Sequence, residues 1–268
     1  MSLWFAAILG LIQGAAEFLP VSSSGHLALL QAFFPSLAPE EGLLFDVLLH
    51  LGTLVSLMAV YRRPLGRLAR SLLRPRDGEG AQGRRILGLL LLGTLPLGLV
   101  LPLKGWIEAR CGEPAFIGAA LLVNGAMLYI SDKLLAGRKS LPEAGAGGAL
   151  AVGFAQAFAA LPGISRSGST VTAGVLAGLS RPDAVDFSFL LSFPAVLGAC
   201  LVKLAEALRS GFDRALLLPA LTGFAAAALS GFPAIRLVQT LAQRGKFRKF
   251  AWYCWTAGLG AIIASILT

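Results

Sequence analysis

The fold class that the sequence predicts is an all-α polytopic membrane protein. It is expected to be an inverted-topology repeat, each half a re-entrant helix hairpin plus three transmembrane helices. Three observations lead there. Of 268 residues, 56% are hydrophobic and only 14% charged, where a soluble domain carries about 25% charged residues. Six apolar segments, 43–61, 86–103, 115–130, 187–202, 215–235 and 250–267, approach the roughly 20 residues that a helix needs to cross hydrocarbon. Two further apolar stretches are broken by tips rich in Pro, Gly and Ser. With a mean hydropathy of +0.75, disordered, collagen-like and disulfide-rich secreted chains are excluded.

Taken in order, residues 1–34 form the first hairpin. The start has no basic stretch and is interrupted by Gln13 and Glu17, so it is not expected to be a cleaved signal peptide. Pro20 and the run Ser22-Ser23-Ser24-Gly25-His26 stop the first apolar arm, and residues 27–34 are too few to span before Pro35. Three spans follow, closing a first repeat at about residue 135. The arginine-rich stretch 62–85, with Arg74-Pro75-Arg76, reads as a loop held by anionic headgroups. The second hairpin, 146–179, has Pro162-Gly163 and then Ser165-Arg166-Ser167-Gly168-Ser169-Thr170 at its tip. Three more spans complete a second repeat, about 146–268, within a single membrane domain. Irregular backbone at membrane depth survives only where it is buried in protein or lines a wet cavity. The two tips are therefore where function is expected.

Basic residues orient the chain. If each hairpin enters and leaves on one side, the loops 62–85, 132–145, 180–186 and 236–249 share a face and carry 17 of the 23 Lys and Arg. The opposite face carries 5, and Arg166 sits in the second tip. The positive-inside tendency then places both termini and the mouth of the first hairpin outside the cytoplasm, with the second hairpin opening from the cytoplasmic side. The net charge of +9 is thereby accounted for by loops, and nucleic acid is not an expected partner. Residues 10–25, GLIQGAAEFLPVSSSG, also resemble residues 153–168, GFAQAFAALPGISRSG. Gln13 and Gln156, Ser22 and Ser165, Ser24 and Ser167, and Gly25 and Gly168 coincide in that register. Three crossings after each hairpin turn the second copy upside down and bring two broken-helix tips together near the midplane.

The tips carry chemistry. Gln13 and Glu17, four residues apart, share a helix face. A charge at membrane depth costs about 2.5–3.5 kcal/mol on insertion scales, so Glu17, Arg166 and His26 need partners or water. A buried Glu17–Arg166 ion pair serving stability alone would leave the surrounding hydroxyls and His26 unused. A phosphate site uses them all. Arg166 offers a planar donor fork. Ser165, Ser167 and Thr170 add hydroxyls, and a helix starting at the tip turns free N–H groups toward an anion. Glu17 can hold a hard divalent cation or act as a base, and Gln13 can ligate through its carbonyl but cannot be a base. His26 can be acid, base or nucleophile. Asp46 and His50 share a face and are candidates for a pair beside the site. Asn124 is expected to make an interhelical hydrogen bond, and Lys203 and Glu206 to snorkel. Trp4, Trp106, Trp252 and Trp255 suit interfacial belts, and Cys111, Cys200 and Cys254 read as packing residues.

The segment from Gln13 to His26, QGAAEFLPVSSSGH, resembles the (E/Q)xxxE plus SS(S/T)GH signature of bacterial undecaprenyl-diphosphatases, the bacitracin-resistance family. LPGISRSGST, Leu161 to Thr170, is similar to that family's PGxSRSxxT signature. The resemblance implies hydrolysis of undecaprenyl diphosphate to undecaprenyl phosphate and inorganic phosphate, in the bacterial inner membrane with the site open to the periplasm. It implies a divalent cation, Mg2+ or Ca2+, near Glu17 and Gln13. The catalytic set it implies is Glu17, Ser23, His26 and Arg166, with Ser22, Ser24, Ser165, Ser167 and Thr170 binding the pyrophosphate. Gln13 stands where many members have Glu. Attack by Ser23, activated by His26 or Glu17, and attack by a positioned water both remain open. So do a carrier or flippase of a polyprenyl phosphate, a non-catalytic lipid-binding protein, and assembly as a homodimer.

Overall fold

A computed structural model describes residues 1–35, 43–73, 78–133, 137–210 and 214–267. Arg74-Pro75-Arg76 and the repeat boundary at 135 lie outside the described residues. A short hairpin, α1 (Leu3–Phe18) and α2 (Ser23–Phe33), is followed by α3 (Leu43–Leu73), α4 (Gly78–Thr94), α5 (Lys104–Cys111) and α6 (Pro114–Lys133). A second hairpin, α7 (Ala146–Phe158) and α8 (Arg166–Leu176), precedes α9 (Arg181–Ser210), α10 (Leu217–Arg244) and α11 (Arg248–Leu267). Among the described residues six stretches are long and apolar enough to cross a membrane, one for each segment anticipated above. At 1.5 Å per residue, the 16 residues of α1 and 13 of α7 reach roughly 24 and 20 Å, short of the ~30 Å hydrocarbon core. Leu229 and Ile266 are 76% and 77% exposed. The outer surface is apolar as lipid contact requires.

Proline accounts for most departures from the expected spans. Segment 86–103 is not one α-helix: Pro96 and Pro102 remove two donors and crowd the preceding turn, so residues Leu95–Leu103 wind as 3-10 helix. The first span runs on to Leu73 through a bend, where Tyr61 leaves helical geometry (φ −94°, ψ 16°) just ahead of Pro64. Pro194 and Pro233 are accommodated inside α9 and α10, which outrun the apolar segments that mark them.

The packing places the hairpins between long helices. α1 lies along α10, α3 packs on α10 and α9, α6 pairs with α11, and α7 rests on α4 and its 3-10 continuation. Small residues permit these approaches. A Cβ on Gly10 would come within 2.3 Å of the Gly223 carbonyl oxygen, and one on Gly153 within 2.5 Å of that of Gly93. Hence each hairpin seats on a long helix backbone to backbone through its own glycine.

Both tips are built by the same local rule. Pro20 disfavours helix for the residue before it, and Leu19 is extended (φ −63°, ψ 141°). Ser22 then caps α2, its Oγ accepting the Gly25 N–H at 3.3 Å, and Ser165 caps α8 by accepting the Gly168 N–H at 3.2 Å. A serine oxygen satisfying a first-turn amide is the preferred N-cap. Position N1, the first helical residue, is Ser23 in one tip and Arg166 in the other.

Candidate active site

The two tips touch. A Cβ on Gly25 would lie 2.9 Å from Gly163 Cα, and one on Gly168 would lie 3.3 Å from Pro20 Cβ. Asn124 of α6 ties the tips together: its Nδ2 donates to the Pro20 carbonyl at 2.9 Å and its Oδ1 accepts the Ser165 N–H at 3.1 Å. Ser167 adds a bond to the Leu19 carbonyl at 3.3 Å. The interhelical bond expected of Asn124 is present, and it spans both elbows.

Buried Glu17 is the hub. Its Oε2 accepts Gln13 Nε2 at 3.0 Å and Ser23 Oγ at 2.7 Å, while Oε1 accepts Arg166 Nη2 in an ion pair. Three of the expected site residues, from both hairpins, thus converge on the carboxylate of a fourth. A pair buried this deeply returns little net stability, because desolvation offsets its attraction. Its value lies in holding a guanidinium and a hydroxyl at one point.

His26 is oriented differently from the expectation that it activates Ser23. Its Nδ1 lies 2.7 Å from the Ser22 carbonyl, which can only accept, so Nδ1 carries the proton. Nε2 is then an acceptor, and the Tyr253 hydroxyl 2.7 Å away donates to it. The rings lie parallel to within 9°, with centroids 5.5 Å apart. Tyr253 was not anticipated. In sequence it sits between Trp252 and Cys254, beside Trp255, and reads as one more interfacial aromatic.

The remaining hydroxyls divide. Ser22 and Ser165 serve as caps, with Ser24 Oγ 3.4 Å from Ser22 Oγ and Ser167 Oγ 3.1 Å from Ser165 Oγ. Thr170 is turned toward α9: its Oγ1 donates to the Arg166 carbonyl at 2.8 Å and lies 2.6 Å from Ser188 Oγ. Asp46 and His50 do not pair through their side chains. His50 Nδ1 bonds the Asp46 backbone carbonyl at 2.8 Å, and the Asp46 carboxylate meets Lys203 at 3.3 Å. Lys203 and Glu206, expected to snorkel, each have a partner, Lys203 pairing with Asp46 and Glu206 with Lys104. In the register that superposes the motifs, Gln156 matches Gln13 and Ala160 matches Glu17. The second hairpin therefore has no carboxylate there, and among the described residues both polar atoms of buried Gln156 lack a partner, as does Ser169 Oγ.

Among the described residues no cluster of three His, Cys, Asp or Glu could hold a metal. The donors at hand are the Glu17 carboxylate, Ser23 Oγ, and the buried Gln13 Oε1, which has no hydrogen-bond partner. That all-oxygen set with one carboxylate fits a hard cation such as Mg2+, which takes its remaining ligands from phosphate and water.

The model of the bacitracin resistance protein BacA family matches residues 6–260. A protein of Desulforapulum autotrophicum called undecaprenyl-diphosphatase is 38% identical over the whole of both chains. One of the same name from Syntrophotalea carbinolica is 40% identical over 96% of this chain and 97% of its own. A third, from Carboxydothermus hydrogenoformans, is 38% identical over 98% and 97%. A match spanning both hairpins and all six long helices, at such identity, leaves one conclusion: the chain belongs to the bacitracin resistance protein BacA family.

Proposed function

We propose that this protein hydrolyses undecaprenyl diphosphate to undecaprenyl phosphate and inorganic phosphate in the bacterial inner membrane, returning the lipid carrier to cell-wall synthesis. The observation that carries the reading is the convergence of Arg166 from one tip and Ser23 from the other on the Glu17 carboxylate. The polyprenyl chain stays among lipid tails while its headgroup comes between the tips. Arg166 exchanges Glu17 for phosphate oxygens, for which its fork is matched. Positioning and charge stabilisation supply most of the catalysis in phosphoryl transfer. A divalent cation bound by Glu17 and Gln13 would neutralise further phosphate charge.

Glu17, already holding the Ser23 hydroxyl, is the favoured base. Ser23 Oγ bonds to the terminal phosphorus, its proton passes to Glu17, and the bridging P–O bond breaks to release undecaprenyl phosphate. Water then attacks the phosphoserine and gives its proton to His26 Nε2, from whose lone pair the Tyr253 hydroxyl turns aside, while Glu17 returns its proton to Ser23 as the Oγ–P bond breaks; His26 then passes its proton to the departing phosphate. Tyr253 is a positioning residue for that imidazole. The inverted relation of the two halves, both termini on the periplasmic side and a site open to that side belong to the same reading, and the basic-residue distribution supports them.

Purified protein in detergent, given a C55 diphosphate with and without EDTA, is expected to release phosphate. A carrier or a lipid-binding scaffold would release none. Rapid quench should trap a phosphoenzyme that Ser23→Ala abolishes; turnover with no such species, and with Ser23→Ala active, would favour direct attack by water.

A further inference from the structure

Behind the diphosphate site lies a second polar space. α3 bends at Tyr61, ahead of Pro64, and a cavity of about 400 Å³ lies between its last turns, α4 and α9. Tyr61, Arg67, Arg70, Glu79, Gln82 and Asp186 line it. At its floor the Tyr61 hydroxyl donates to Asp186 Oδ1 at 2.6 Å and accepts from Gln239 Nε2 at 3.0 Å, so α3, α9 and α10 meet in one hydrogen-bonded set. Tyr61 stands edge-on to Phe189, and Phe189 edge-on to Phe18, the neighbour of Glu17. One aromatic layer separates the two polar spaces, and the diphosphatase reaction uses nothing on the far side of it.

The charges of this cavity are of both signs and are not spent on each other. Among the described residues Arg67 has no partner, and Arg70 reaches only the Gly66 carbonyl of its own helix, at 3.1 Å. Glu79 makes no ion pair there. A simple anion drawn in by Arg67 and Arg70 would face Glu79 and Asp186, and a simple cation would face the arginines. A ligand carrying a phosphate and a primary ammonium answers both walls. The cavity also opens beyond the apolar run 43–61, in the arginine-rich part of the chain, where headgroups lie and basic pockets between helices bind them.

We propose that this cavity binds the headgroup of an aminophospholipid, its phosphate on Arg67 and Arg70 and its ammonium toward Asp186 and Glu79. The site is independent of the diphosphatase reading. The full chain in detergent can be titrated with dioleoyl phosphatidylethanolamine, phosphatidylglycerol and phosphatidylcholine, and separately with soluble phosphoethanolamine. Retained lipid is counted by native mass spectrometry and stabilisation by thermal melting. Phosphatidylethanolamine is expected to bind about tenfold more tightly than either other lipid, as loss of a charge-assisted contact implies. Arg67→Ala with Arg70→Ala should abolish binding, and Glu79→Gln should erase the preference, both leaving phosphate release in detergent unchanged. Arg62→Ala with Arg63→Ala, exposed arginines outside the cavity, should alter neither. Equal binding of phosphatidylglycerol, or equal loss in the Arg62 and Arg63 control, would overturn the proposal by reducing it to surface charge. Binding of soluble phosphoethanolamine without binding of the lipid would overturn the lipid assignment.

Discussion

Glu17 holds three donors at once, and removing its charge should separate its roles. Glu17→Gln keeps the shape and an acceptor oxygen but cannot take the Ser23 proton. Phosphate release should fall by about 10²–10⁴-fold, the span typical of a lost general base, and the melting temperature should drop as well, because Arg166 is left without its buried partner. Tyr253→Phe tests the imidazole. If the hydroxyl acts only through His26, kcat drops about tenfold with KM unchanged, and the same change costs nothing in a His26→Ala background, a non-additivity that a merely structural tyrosine would not give. The charged members of the site were legible in the sequence because a Glu and an Arg at membrane depth are too costly to be idle. Tyr253 was not, since an aromatic beside tryptophans on an apolar helix carries no signal until its neighbour is known. The Ser188 partner of Thr170 was not legible either, because spacing places Thr170 near the tip and only helix phase shows its hydroxyl turned to α9.

At the scale of elements, the two tips are rigid only if something holds two backbone breaks against each other, and Asn124 is placed to do so. Asn124→Ala leaves the Ser165 N–H unpaired in a dry setting, at about 1–3 kcal/mol, and the Pro20 carbonyl with only the long, weak contact to Cys254 Sγ at 3.9 Å. A loss of about 2–4 kcal/mol on that basis, seen in thermal melts, should accompany a fall in turnover, because Glu17 and Arg166 ride on the elbows that Asn124 joins. Unchanged activity would mean that tip contact alone sets the geometry. The hairpins could be read from the chain because proline, glycine and serine punctuate apolar arms too short to span. Residues 95–103 could not. Their hydropathy is that of a crossing helix, and only the two prolines, which a hydropathy window ignores, decide that the segment winds as 3-10.

For the molecule as a whole, the pattern of basic residues makes a claim about sidedness that packing by itself does not address. Ser24 is exposed at the first tip and Gln82 is exposed on α4, in the arginine-rich stretch. Under the proposed arrangement these positions answer to opposite compartments. With Cys111, Cys200 and Cys254 replaced by Ser, a Ser24→Cys protein in right-side-out vesicles should react with a membrane-impermeant maleimide, and substrate should protect it. A Gln82→Cys protein should react only after permeabilisation. Charge asymmetry of this kind orients helices because translocating Lys and Arg against the membrane potential is unfavourable. Moving arginines from the stretch 62–85 to the opposite loops should therefore erode the labelling contrast before it affects folding. If both cysteines instead react from the same side in the parent protein, the two hairpins do not enter from opposite leaflets, and the diphosphate must reach Arg166 by another route.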